Sequence, residues 1–214
     1  MKIKAVIFDL DGVVLSTDEY HFRAWKKMAE SEGIPFTKED NERLRGVGRM
    51  ESLDIILEKS EMEYSEEEKK KLAEYKNNLY RESLQDLSPA DIYPGVVEVF
   101  DMLEDKGVRI AIGSSSKNTK FILKQVGLFD RFKGAISDGT NITKSKPDPQ
   151  VFLMAADMVE TQPENSLVVE DAYAGVEAAK AGNMYALAVG TAVDHKDTDF
   201  AADDVTKFNF DSVL

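Results

Sequence analysis

Five short apolar runs, at residues 4–8, 108–113, 134–136, 166–169 and 184–189, constrain the fold of this chain more than any other feature. Each has the length of a buried strand. From residue 95 onward they alternate with segments of helical period, the pattern of parallel strands joined by crossover helices. The helices carry their own punctuation. One runs from about Val96 to Lys106 and stops at Gly107, and another opens near Ser116 and stops at Gly127. Asp148-Pro149 reads as an N-cap with proline at the first helical position, and Gly182 closes a segment starting near Tyr173. The expected fold class is α/β, a doubly wound parallel sheet.

Between the first run and residue 95 the pattern changes. Residues 17–32, 40–59 and 65–85 are helical by period with no strand among them, and Tyr20, Ala24, Trp25, Met28 and Ala29 mark an apolar stripe on the first. Ser65 and Glu68 form a capping-box candidate. The breakers Ser88-Pro89-Ala90 and Tyr93-Pro94-Gly95 return the chain to the sheet. The expected organisation is an α/β core of residues 1–14 and 95–214 with a helical insert, 15–94, whose linkers lie near 14–17 and 86–94. Such an insert is expected to sit over the carboxyl end of the first strand and open and close as a lid.

Composition narrows the function. The chain lacks cysteine and has only His21 and His195, which excludes disulfides and thiolate sites and argues against an all-protein zinc site. A formal charge of −13 argues against nucleic acid or an anionic membrane as partner. Met1-Lys2-Ile3-Lys4 leads into the first strand without a signal-peptide pattern, so a cytoplasmic location is the expectation, and a monomer is expected because nothing in the sequence demands a partner.

The candidate chemistry falls at strand ends, where open α/β sheets collect their ligands. Asp9 and Asp11 follow the first strand. After the second come Ser114-Ser115-Ser116-Lys117-Asn118, hydroxyls and free N–H groups at a helix start that suit an anion. Lys146-Pro147 follows the third strand region, and Glu170-Asp171 the fourth. Oxygen-only acidic ligands suit magnesium. Gly46-Val47-Gly48 is not a dinucleotide loop, because no strand precedes it and a third glycine is missing.

On these residues the chain resembles the haloacid dehalogenase superfamily of phosphotransferases. Asp9-Leu10-Asp11-Gly12-Val13, the Ser114 turn, Lys146-Pro147 and Glu170-Asp171 look like its four motifs, and the insert is similar to its α-helical cap. Within the superfamily, Thr17, His21-Phe22-Arg23-Ala24-Trp25-Lys26, Arg45-Gly46-Val47, Arg49, Ser52-Leu53, Lys76-Asn77 and Ser88-Pro89-Ala90-Asp91 resemble the β-phosphoglucomutase family. Gly48 stands where that family often has serine.

The resemblance implies a phosphoryl-transfer isomerase interconverting β-D-glucose 1-phosphate and D-glucose 6-phosphate, primed by β-D-glucose 1,6-bisphosphate. It implies that Asp9 carries the phosphoryl group, that Asp11 is acid and base, and that Ser114 and Lys146 balance charge. Mg2+ would be held by Asp9, Glu170, Asp171 and the Asp11 backbone carbonyl. Arg49, Lys117 and Asn118 would grip the second phosphate, joined by Ser115 and Ser116 of the same turn, while Gly46, Ser52 and Lys76 would face the sugar. Thr17 and His21, four apart on one helix face, would couple the cap to Asp11. A sugar-phosphate phosphatase shares all four core motifs and stays open as the alternative.

Overall fold

The computed structural model describes residues 2–44 and 47–214. The chain divides into two compact units, Met1–Ser16 with Leu87–Leu214, and Thr17–Asp86. The first unit carries a six-stranded sheet of β1 (Ala5–Phe8), β2 (Arg109–Gly113), β3 (Ile136–Ser137), β4 (Ser166–Glu170), β5 (Tyr185–Ala188) and β6 (Phe200–Ala201). The strand order is β3-β2-β1-β4-β5-β6, and every pairing is parallel. From β1 the chain builds outward through β2 and β3, then returns to the other side of β1 with β4. That reversal makes the carboxyl ends of β1 and β4 the switch point of the sheet.

The helices, in chain order, are α1 (Asp18–Ser31), α2 (Lys38–Glu42), α3 (Arg49–Leu57), α4 (Glu66–Ser83), α5 (Val96–Asp105), α6 (Thr119–Gln125), α7 (Gln150–Met158) and α8 (Tyr173–Ala181). The last four belong to the α/β unit. Successive side chains of a strand face opposite ways, and β1 shows this directly. Ile7 joins a cluster with Val151, Phe152 and Val176 from α7 and α8. Its neighbour Phe8 meets the Phe100 ring of α5 edge-on at 4.9 Å, and Phe100 in turn meets Phe132 at 5.2 Å. Burial on both faces is why β1 reads as an unbroken apolar run.

Helices α1–α4 form the second unit. Trp25, Met28 and Ala29 of α1 pack with Ile34, Phe36, Leu53, Ile56 and Ala73 into a core of their own. Ser65 caps α4 as expected, exchanging bonds with Glu68 in a capping box.

Several boundaries differ from the sequence expectation. Residues 40–59 form two helices rather than one, because Gly48 is extended (φ −65°, ψ 153°) and starts α3 as its N-cap. Helix α6 begins at Thr119, not near Ser116. Serine hydroxyls take the backbone donors of the preceding turn instead, with Ser116 N donating to Ser114 Oγ (3.3 Å) and Asn118 N to Ser116 Oγ (3.1 Å). Asp148 does accept from Gln150 N (3.0 Å), but α7 itself starts at Gln150. Residues 87–94 group with the α/β unit, since Tyr93 N donates to Val14 O (2.9 Å) and Leu15 bridges Ile92. The two-residue edge strand β6 was not expected at all.

Candidate active site

Register delivers the acids. Phe8 lies beside Val169 in the β1–β4 pair, and Asp9 N donates to Val169 O (3.0 Å), so Asp9 leaves β1 level with Glu170. Asp9, Glu170 and Asp171 each offer an oxygen, and the three atoms lie within 4.8 Å of one another. Gly12 is required here twice over. Its φ of +88° is left-handed, and a Cβ on it would stand 2.1 Å from Asp171 Oδ2. Gly175, on α8, makes room for the second acid, because a Cβ there would fall 2.0 Å from Glu170 Cδ.

One cation answers this negative cluster from within the protein. Lys146 is buried, donates to Asp9 Oδ1 (2.6 Å) and to Glu170 Oε1, and lies 4.6 Å over the Phe152 ring. Glu170 is further fixed by Ala172 N, which donates to its other oxygen (2.8 Å). One lysine does not neutralise the group. Burial pushes Asp9 up to about 7 against the pull of Lys146, with Glu170 and Asp11 adding to the rise. Asp171 is pushed up to about 8 by burial, then by Glu170, Asp9 and Asp11. The charge of Asp11, half-buried at the Gly12 turn, therefore reaches both. Three clustered oxygen donors, of which Asp9 and Asp171 hold protons this strongly, suit a hard divalent cation that would replace those protons. The residues fit magnesium.

The β2–α6 turn lies alongside the third strand. Ser114 is buried, and its N donates to Ser137 O (3.1 Å). Gly139 N donates to Ser116 O (3.2 Å), and a Cβ on Gly139 would meet Ser115 O at 2.3 Å. Ser115 Oγ is buried without a partner among the described residues. Asn118 is buried, while Lys117 is exposed. The sequence reading missed Asp138, which is fully buried, accepts from Thr140 N (2.9 Å) and faces Lys120 Nζ at 3.4 Å. An acid directly after an apolar strand was the available signal, since it repeats the pattern of Asp9 and Glu170.

The helical unit gathers the remaining candidates. Lys76 is buried on α4, hydrogen-bonded through Nζ to His21 Nδ1 (2.8 Å) and set over the rings of Trp25 (4.5 Å) and Tyr80 (4.7 Å). Burial, then the charges of Lys76 and Arg49, hold the His21 imidazole well below its ordinary pKa, so it is neutral and Nδ1 accepts. Ser52 is buried on α3. Arg49 is half-buried, its guanidinium pKa lowered by desolvation, and it makes no ion pair with a carboxylate among the described residues. Thr17 and His21 both meet Tyr80, another residue that the sequence reading missed. Tyr80 lies four residues after Lys76 on one helix face, which was its signal. Gly46 lies outside the described residues.

Comparisons with known proteins agree with this geometry. Residues 3–183 match the haloacid dehalogenase-like hydrolase family. The β-phosphoglucomutase of Bacillus subtilis is 44% identical over 190 residues, 88% of this chain and 84% of that protein. A phosphorylated carbohydrates phosphatase of Thermotoga maritima is 32% identical over 85% of this chain and 82% of its own. The crystal structure of β-phosphoglucomutase from Clostridium difficile superposes with a TM-score of 0.91 at 38% identity, covering 98% of this chain and 95% of that one. With parallel strands delivering Asp9, Lys146, Glu170 and Asp171 to one cluster, this chain belongs to the haloacid dehalogenase-like hydrolase family.

Proposed function

We propose that this protein is a phosphoryl-transfer isomerase that interconverts β-D-glucose 1-phosphate and D-glucose 6-phosphate. The observation that carries isomerisation over hydrolysis is the 44% identity to a β-phosphoglucomutase across 88% of the chain, which takes in most of the helical unit as well as the core. A phosphatase shares the core machinery, but the Thermotoga maritima phosphatase stands at 32% identity.

The chemistry follows from the residues. An Asp9 carboxylate oxygen forms a bond to phosphorus as the bond from phosphorus to the sugar oxygen breaks, giving an aspartyl phosphate. Asp11 supplies the proton that the departing oxygen needs and later removes one from the hydroxyl that takes the phosphoryl group back. Asp9, Glu170, Asp171 and the Asp11 backbone carbonyl would hold magnesium, which would supply positive charge for the transferring group. Lys146 and Ser114 add donors for the same oxygens, and Lys146 already orients Asp9 through its 2.6 Å bond.

β-D-Glucose 1,6-bisphosphate is both primer and intermediate in this reading, so the protein needs a second anion grip. Arg49 supports that role. A half-buried guanidinium without a carboxylate partner among the described residues, in a chain of charge −13, is costly unless an anion completes it. Ser115, Ser116, Lys117 and Asn118 serve the phosphates from the core, and Gly46, Ser52 and Lys76 face the sugar. Thr17 and His21 favour the sugar hydroxyl over water as acceptor.

A coupled assay for glucose 6-phosphate tests the proposal. The β anomer of glucose 1-phosphate is expected to be converted only when bisphosphate is present, and the α anomer not at all. Release of inorganic phosphate without isomer would make the protein a phosphatase instead.

A further inference from the structure

We infer that Tyr80 is a positioning residue for sugar-over-water selection, acting through the hydroxyl of Thr17; this rests on the isomerase reading above. Thr17 stands at the N-cap of α1, where a threonine side chain ordinarily accepts from a backbone N–H of the first turn. Here it makes no such cap bond. The Thr17 backbone carbonyl still accepts from His21 N (2.9 Å), so the helix starts normally and the side chain alone has been diverted. Its Oγ1 instead accepts from the Tyr80 hydroxyl at 2.8 Å, with Thr17 and Tyr80 each about 1% exposed.

That bond has a directional consequence. With Tyr80 as donor, one lone pair of Thr17 Oγ1 is occupied, and the threonine O–H is constrained to point as a donor along the remaining directions. A hydroxyl whose rotor is held this way offers its proton in fewer directions than a freely turning one.

The same phenol organises the other polar groups of this unit. Its ring lies 4.0 Å from the His21 ring and 4.7 Å from the Lys76 ammonium. Tyr80 thus touches Thr17, His21 and Lys76 at once. Removing only its oxygen leaves both ring contacts and withdraws the bond that it donates to Thr17. Phosphoryl transfer from Asp9 to a sugar hydroxyl or to water breaks the same bond and passes the acceptor's proton to the same acid. The ratio of the two products therefore reports acceptor selection rather than chemical competence.

Tyr80→Phe is the test, read as the ratio of glucose 6-phosphate formed to inorganic phosphate released. Loss of one buried hydrogen bond is expected to lower that ratio about tenfold. Hydrolysis of a small aryl phosphate and the melting temperature should stay near those of the parent. In the background of Thr17→Val, Tyr80→Phe should cause no further fall in the ratio, because the bond is already gone. In the unmodified protein, a slowly exchanging hydroxyl proton with an NOE to the Thr17 methyl is expected. An unchanged ratio in Tyr80→Phe, an additive loss in the double variant, or absence of that proton would each overturn the inference. A parent enzyme that makes no isomer at all would instead overturn the isomerase reading.

Discussion

The two units solve opposite electrostatic problems. At the carboxyl ends of β1 and β4, carboxylates outnumber cations, and the excess shows as protons held by Asp9 and Asp171 up to about 7 and 8. In the helical unit acids outnumber bases along the chain, but the buried cluster around Lys76 and His21 is cationic. Lys76 rests on aromatic faces and a neutral imidazole, and Arg49 lacks a carboxylate partner among the described residues. Each unit keeps its imbalance tolerable by neutralising titratable groups, acids by protonation and His21 by deprotonation. One is thereby suited to a bound cation and the other to an anion. A magnesium-dependent sugar bisphosphate enzyme needs both.

The sharpest way to break this comparison is to remove the nucleophile. Asp9→Asn retains an oxygen that can accept from Lys146 but cannot attack phosphorus. Isomer formation and phosphate release should both fall by about 10⁴-fold or more, while circular dichroism and the melting temperature match or exceed the parent. Turnover at the parental rate would mean that the negative cluster is structural and the nucleophile lies elsewhere.

Arg49→Ala probes the positive side. Apparent affinity for the bisphosphate should drop about 10- to 100-fold, as for one lost charge-assisted contact, with aryl phosphate hydrolysis reduced far less. Equal losses on both substrates would show that Arg49 supports the fold rather than an anion.

The smallest effect is a pH dependence of metal stabilisation. Because Asp9 and Asp171 keep protons in the folded chain that the unfolded chain releases near pH 4, stability of the metal-free protein falls as pH rises through the interval up to about 7–8. Magnesium competes with those protons. Saturating Mg2+ should raise the melting temperature by roughly 5 °C at about pH 8 and by little at about pH 5. A rise that is equal at both values would separate the cation from these two acids.

Much of this was legible in the chain, for identifiable reasons. Strands β1, β2, β4 and β5 are nearly or fully buried, so they read as continuous apolar runs, and β1, β2 and β4 carry the candidate chemistry at their carboxyl ends. The two-residue edge strand β6 has no period to read, and only its pairing with β5 defines it. The break between α2 and α3 was hidden because the apolar spacing continues across Gly48 while the backbone does not. Asp9, Lys146 and Glu170 could be named as separate candidates, but not the lysine bond that joins the first to the third. Tyr80 was hidden for a related reason: a buried aromatic on an amphipathic helix reads as core.

Local sequence determined the types of element, the order of acids, serines and lysine along the strand ends, and the excess of negative charge, because periodicity and side-chain chemistry act over a few residues. Which of those groups face one another was decided only by tertiary structure. The pairing of Asp9, Lys146 and Glu170 depends on strand register between residues more than a hundred positions apart, and their proton affinities depend on burial. Desolvation and Coulomb energies are properties of the folded volume, and no stretch of chain carries them alone.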